Sequence, residues 1–285
     1  MPPSPQVRCR QIREADLTQV ADLLTRGFPK RARKYWTSGL ERLAACPIIE
    51  GCPRFGYLLE ADGEVVGALL LIFHQTGAGA DARIRCNVSS WYVEPAFRSH
   101  APLLVSLALK LKHVTYVNIS AAVHTLPMLK AQGYSLYSQG QFVAIPALAA
   151  AGRVRARFLG AGSDLVPPER ELIETHVAAG CVAVICETDG DALPFLFARR
   201  RIAYAPFGVL QLVYCRDTAD FSRCAGAIGR LLLARGVLAV LCDADAPLAG
   251  LPGFLFRNKG ARHFKGPDRP RLNDLSYTEL VLFGA

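Results

Sequence analysis

The nine cysteines of this 285-residue chain include no CxxC pair and have no histidine at metal-ligand spacing, which argues against a metal centre built on them. They lie scattered through apolar segments and read as buried structural thiols. Cys46 and Cys52 flank a proline-containing loop, with nothing nearby to depress a thiol pKa. Long hydrophobic runs are also missing. The longest clean one, Val65 to Phe73, is about half the roughly 18 residues a membrane-spanning helix needs. No apolar segment ahead of a small-residue cleavage site follows the N-terminus, so no secretory signal is expected and the chain is expected in the cytoplasm. Acidic residues are scarce beside basic ones, 24 against 33, for a net charge of +9. The surplus is heavier in residues 1–150, with its clearest cluster at Lys30-Arg31-Ala32-Arg33-Lys34. Such a cluster suits an anionic partner or a solvated loop. Only Tyr35 and Trp36 adjoin it, too few aromatics for a single-strand stacking platform.

What is present is the composition of a soluble globular protein, 51% hydrophobic and 20% charged. The length suits two domains, each able to bury a core. Val7 to Arg13 alternates as a strand. Leu17, Val20, Leu23 and Leu24 recur at helical spacing until Gly27 and Pro29, and a second helix spans about Ala32 to Ala45. Phe55–Glu60 and Glu64–His74 form a hairpin around Asp62-Gly63. Strand Ile84–Val93, helix Pro102–Lys112 and strand Val114–Ile119 imply a parallel crossover. A short helix, His124–Gln132, ends at Gly133, and a strand follows at Tyr137–Ile145.

The Ala-, Gly- and Arg-rich stretch 147–164 marks a boundary, and the same order then recurs. A helix at Leu172–Ala179 precedes strands Cys181–Glu187 and Ala192–Ala198 around Asp189-Gly190. After these come strand Gly208–Cys215, helix Ser222–Arg235, strand Val237–Cys242, a short helix near Pro252–Asn258 and strand Leu275–Phe283. The match between halves is one of element order, and it suggests an internal duplication.

Within the first half, Val88 to Lys110 carries the most information. An apolar strand stops at Glu94-Pro95, a basic turn follows at Phe97-Arg98-Ser99-His100, and a helix begins at Ala101 or Pro102. The first turn of a helix leaves backbone N–H groups unpartnered with their dipoles aligned, an arrangement that suits a phosphate. Arg98 would reinforce it.

This succession of elements resembles the GCN5-related N-acetyltransferase superfamily, fairly well over residues 7–145 and weakly over 170–283. The resemblance implies an α+β fold with a mixed sheet, the acyl-CoA N-acyltransferase fold, with two similar domains in tandem. The divisions are 1–148, a linker at 149–165, and a degenerate copy at 166–285. It implies acetyl-CoA or another acyl-CoA as cofactor and an amine on a small molecule or peptide as acceptor. In that family a loop of pattern Gln/Arg-x-x-Gly-x-Gly/Ala wraps the cofactor pyrophosphate, and Arg98-Ser99-His100-Ala101-Pro102-Leu103 falls on it. Arg98 matches, whereas Ala101 and Leu103 stand where small residues let the backbone approach, and Pro102 removes a donor. The family tyrosine that protonates the leaving thiolate falls on Leu129, and in the second half on Phe256. Cys215-Arg216-Asp217-Thr218 takes the place of the second cofactor loop, where Asp217 and Asp220 would repel a pyrophosphate.

By the same resemblance Trp91, Tyr92, Val93, Arg98, Ser99, His100, Ala101, Leu103 and Leu104 are the expected cofactor contacts. Amides near Trp91 to Val93 would polarise the thioester carbonyl. Acyl transfer to an amine also needs a proton acceptor. Glu94, at the strand end, and His124, beside the expected opening between strands, are the candidates. Ser89 and Ser90 interrupt an apolar strand, so one must point inward and needs a partner. Tyr116 and Asn118 share a strand face. Ser90, Tyr116, Asn118, Tyr35 and Trp36 are the expected substrate-binding residues. Two other functions stay open on the sequence. One is a catalytically silent member that binds a ligand or partner. The other is an aminoacyl-tRNA-dependent transferase, tRNA being the nucleic acid that the Lys30–Lys34 loop would touch.

Overall fold

Asp62 and Gly63 both adopt positive φ, 50° and 85°, the conformation of a tight hairpin turn, and the first sheet strands grow outward from it. The computed structural model describes residues 6–77, 79–150, 152–160, 165–188, 191–201 and 207–284. The expected turn at Asp189-Gly190 lies outside the described residues. Strand β1 (Val7–Gln11) is followed by helices α1 (Leu17–Gly27) and α2 (Arg33–Ala45). Strands β2 (Gly56–Ala61), β3 (Glu64–Thr76) and β4 (Arg83–Val93) complete an antiparallel run. Helix α3 (Ala101–Ala108) crosses over to β5 (Val114–Asn118), which pairs parallel to β4. Helix α4 (Leu126–Ala131) and β6 (Ser135–Ala144) follow.

Beyond β6 come β7 (Arg155–Phe158), α5 (Pro167–Ala178), β8 (Val182–Thr188), β9 (Asp191–Arg200) and β10 (Gly208–Tyr214). Helix α6 (Thr218–Leu233), β11 (Val237–Ala244), β12 (Gly253–Lys265) and α7 (Glu279–Leu282) complete the order. Again β10 and β11 are parallel across a helix. All twelve described strands lie in one sheet, in the order β1-β2-β3-β4-β5-β12-β6-β11-β10-β9-β8-β7. The α+β class with a mixed sheet is the one the sequence implies. The two halves cross at the centre. β6 pairs with β11 of the second half, and β12 fills the place between β5 and β6.

Two expected elements are different. Residues 252–258 are not helical but begin β12, because the edge of β6 offers Gly253–Arg257 a full register of partners from Gly140 to Ala144. Residues 275–283 are not a strand. With β12 occupying the slot beside β5, no edge remains for them, and they form an irregular segment ending in the single turn α7.

Each face of the first half of the sheet carries its own core, as alternation along β3 dictates. Ala68, Leu70 and Ile72 pack under α1 and α2 with Leu282 and Phe283 of the C-terminal segment. Leu69, Leu71 and Phe73 pack on the other face with Leu104 and Ala108 of α3 and with Leu129. At the central seam Arg262 and Asp243 form a buried ion pair, 2.9 Å apart. Six of the nine cysteines are buried, while Cys9, Cys46 and Cys52 are partly exposed. Among the described residues no helix is long and apolar enough to cross a membrane.

Candidate active site

β4 and β5 pair only from Ile84–Asn87 to Val114–Val117 and then part. Just past that point β4 bulges. Ser89 faces Leu70 and Tyr92 faces Ala68, so Ser90 and Trp91 share the single residue Leu69. Ser90 adopts φ 48°, a strained conformation costing about 1–3 kcal/mol that persists where surrounding structure enforces it. The bulge leaves backbone unpaired toward β5.

The gap holds a cavity of about 420 Å³ that passes through the sheet and joins its two faces. On one face Val105, Leu109, Met128, Leu129 and Tyr134 line it; on the other, Phe28, Arg31, Tyr35, Trp36, Arg200 and Glu279 do. Four lining side chains bury a polar atom with no hydrogen-bond partner among the described residues: Trp36 Nε1, Trp91 Nε1, Asn118 Oδ1 and Arg200 Nε. Buried polar groups in folded proteins nearly always find a partner, so this cavity is built for a polar occupant.

Glu279 is the carboxylate of the cavity lining. It opens α7, and its N–H donates to Asn87 Oδ1 at 2.8 Å, while Asn87 Nδ2 donates to Val117 O at 3.3 Å. Its carboxylate accepts hydrogen bonds from the hydroxyls of Ser89, on β4, and Ser120, just past β5. Burial pushes the carboxyl above its ordinary range, while the two hydroxyls, Arg262 and Arg31 pull it back. Thus a residue from the far end of the chain bridges the two parting strands.

The segment that carries Glu279 is tied down on both sides. Arg85 pairs with Asp274 at 3.2 Å and donates to Ser276 O at 2.9 Å. Arg42 donates to Leu282 O at 2.8 Å, and the Phe283 ring meets Trp36 at 6.0 Å. Tyr277 stacks on His74 with ring centroids 3.6 Å apart. The Tyr277 N–H donates to His176 Nε2 at 2.9 Å, and His176 Nδ1 donates to Leu172 O at 2.6 Å. This arrangement requires a neutral imidazole, since a proton on Nε2 would displace the Tyr277 N–H. Burial lowers the pKa of His176 to about 4 and that of His74 to about 3. Both folded-state values lie below the unfolded value near 6.5, so the unfolded chain binds more protons in that interval. Stability is therefore fully present above about pH 6.5 and is lost as pH falls toward 4. Urea denaturation across that range will show a falling midpoint, and His176→Gln will flatten the fall; a midpoint constant to pH 4.5 would contradict it.

Of the residues singled out in the sequence, Tyr35, Trp36, Ser90, Trp91, Asn118 and His124 line the cavity together. Glu94 is not among the lining residues and is held by Arg26 at 2.8 Å. Tyr116 is 2% exposed in the core, where its hydroxyl accepts the Leu111 N–H at 3.2 Å; it shares a strand face with Asn118 but sits before the strands part. Tyr92 packs its ring against Gly27, and Val93 is buried. Arg98 and Ser99 are exposed on the turn Pro95–His100, with the Ser99 hydroxyl 3.2 Å from His100 Nδ1. Leu104 is buried, Ala101 half-buried and Leu103 exposed on α3. Sequence reasoning missed Glu279, Ser120 and Arg200.

The two crossover helices start differently. The first turn of α6 is capped by Asp217, which accepts the Ala219 N–H at 2.8 Å, and Arg216 is engaged by Glu169 and Asp191. α3 has no side-chain cap.

No family model matches the sequence, and neither does any curated protein. Solved structures do match the fold. A GCN5-related N-acetyltransferase from Anabaena variabilis superposes with a TM-score of 0.60 at 10% identity, over 91% of this chain and 72% of that one. One from Kribbella flavida gives 0.58 at 15% identity, over 91% and 71%. A GCN5-related glucosamine N-acetyltransferase region of a fungal multi-domain β-N-acetylglucosaminidase gives 0.54 at 12% identity, over 92% of this chain and 38% of that one. Identities this low speak to architecture, and on that ground the chain has the fold of the GCN5-related N-acetyltransferases.

Proposed function

We propose that this protein is an acyl-CoA-dependent N-acyltransferase, in which an amine attacks the thioester directly in a ternary complex. The observation that carries this reading is the cavity through the sheet at the parting of β4 and β5, with Glu279 at its edge. Residues 1–148 hold the cofactor. Residues 166–285, joined through 149–165, are a degenerate copy that completes the cleft.

The residues present fit an acyl-CoA. The start of α3 has no side-chain cap and Arg98 lies beside it, which suits a pyrophosphate, although the Ala101 N–H is taken by Arg98 O and Pro102 has none. The capped start of α6 does not suit one. Asn118 Oδ1 and Trp91 Nε1 are an unpaired acceptor and an unpaired donor, matching the amide groups of a pantetheine arm. When bound, the thioester supplies the electrophilic carbonyl carbon. The bulged backbone at Ser90–Trp91, which β5 no longer pairs, would polarise the carbonyl through its N–H groups. Glu279 accepts a proton as the amine nitrogen bonds to that carbon and the C–S bond breaks. Of the two protons the ammonium loses, one ends on the thiol and one in solvent. A base with a raised pKa suits this task, because its proton affinity lies nearer the working pH.

Acetyl-CoA or a longer acyl-CoA is expected to raise the melting temperature, and Arg98→Glu to abolish the shift. No shift with any CoA species would leave only ligand or partner binding through the same cleft. Salt-dependent tRNA binding would instead favour the aminoacyl-tRNA-dependent reaction.

A further inference from the structure

The cavity carries more positive charge than acyl transfer itself requires. On the face opposite α3 it is lined by Arg31, from the loop between α1 and α2, and by Arg200, the last residue of β9. Three arginines near the cavity are engaged: Arg33 with Asp22, Arg262 with Asp243, and Arg42 with Leu282 O. Arg31 and Arg200 differ from them, since among the described residues no carboxylate forms an ion pair with either. Arg31 lies over the Tyr35 ring, 4.4 Å from its centroid. Arg200 is half-buried, and its Nε is wholly buried with no hydrogen-bond partner among the described residues.

A desolvated guanidinium without a partner is costly, and its planar fork matches a carboxylate. Tyr35 ties the charges together: its phenol is raised chiefly by burial, and beyond that Arg31 and Arg200 lower it while Glu279 raises it. Two cations and one anion line one cavity of about 420 Å³, with Arg31 over the Tyr35 ring. That is the charge pattern of an amino acid's complement, with Glu279 for the amine and the arginine pair for the carboxylate.

Building on the acyl-transfer reading, we infer that the acceptor is a small amino carboxylic acid whose carboxylate is held by Arg200 and Arg31 while its amine faces Glu279. The second half thus supplies both the proton acceptor and part of the specificity determinant. A cofactor phosphate is the other anion such a pair could hold, but the start of α3 with Arg98, proposed to hold it, lies on the opposite face of the sheet.

The test separates these readings. Binding of N-acetyl-L-amino acids, the expected products, is measured by calorimetry against the same compounds with the carboxyl converted to an amide. Turnover is followed as thiol release for L-amino acids against their decarboxylated amines. The free carboxylates are expected to bind at least tenfold tighter. Amino acids are expected to exceed their amines at least tenfold in kcat/KM. Arg200→Met removes both preferences, Arg200→Lys restores part of them, and in both variants the acetyl-CoA thermal shift persists. Equal binding of acids and amides overturns the inference, as does loss of the acetyl-CoA shift in Arg200→Met, which would place a cofactor phosphate on the pair. Carboxylate-selective binding without turnover of any amine supports the arginine pair and overturns acyl transfer instead.

Discussion

With glutamine in place of Glu279, turnover at saturating acyl-CoA and amine is expected to fall about 10²- to 10⁴-fold, the span typical of a lost general base. The amide keeps the shape of the carboxylate: its oxygen still accepts from one of the Ser89 and Ser120 hydroxyls, and its NH2 donates to the other once that hydroxyl turns, so the cleft is preserved. The acetyl-CoA thermal shift should therefore survive the substitution. Burial raises the wild-type carboxyl above its ordinary value, near 4.3 for an exposed glutamate. Activity needs the ionised form, so the acid limb of kcat/KM rises with pH through a midpoint above that value, and Glu279→Gln removes this limb. A variant within threefold of wild type in kcat would transfer the role to another group, His124 at the cavity rim being next in position.

Removing the carboxylate at the seam has the largest expected effect on stability. Asp243→Ala leaves Arg262 buried without its counter-charge, since the two side chains are 0% and 5% exposed. Loss of one partner from a buried pair costs about 3–5 kcal/mol. Arg262 also donates to Ile119 O, and the Asp243 N–H donates to Asn273 Oδ1 at 2.7 Å, so the pair joins β5, β11, β12 and the C-terminal segment. Urea denaturation measures the loss. Adding Arg262→Met to Asp243→Ala removes the stranded charge and is expected to recover part of it. A single-variant loss under about 1 kcal/mol would show that water reaches the guanidinium.

What the sequence revealed followed the reach of local physics. Asp62-Gly63 prescribes its hairpin, and the β4-α3-β5 crossover needs only the change of period from two to 3.6 and the handedness of parallel connections. Ser90, Trp91 and Asn118 do line the cavity between β4 and β5; Ser90 could be singled out because a polar residue in an otherwise apolar strand must meet something. Tyr116 was misassigned because alternation gives the face of a strand but not where pairing with its neighbour ends. β12 was hidden because its strand state depends on β6, more than a hundred positions away. The apolar content of 275–283 suggests a strand, a reading that gives Glu279 no special place. No spacing rule links it to Ser89 and Ser120. Arg200 was equally invisible, since its place in the cavity lining is a property of the assembled sheet.

The exchanged central strands have a consequence for biosynthesis. Once residues 1–144 have left the ribosome, β5 has no neighbour on the side that β12 will occupy, and β6 lacks both β11 and β12. Such unpaired edges are templates for wrong pairing. At synthesis rates of about 5–20 residues per second, seconds pass before residues 237–265 arrive to close them. The first half must wait with an open sheet, so shielding during that interval, or a pause that prolongs it, bears directly on the yield of native protein.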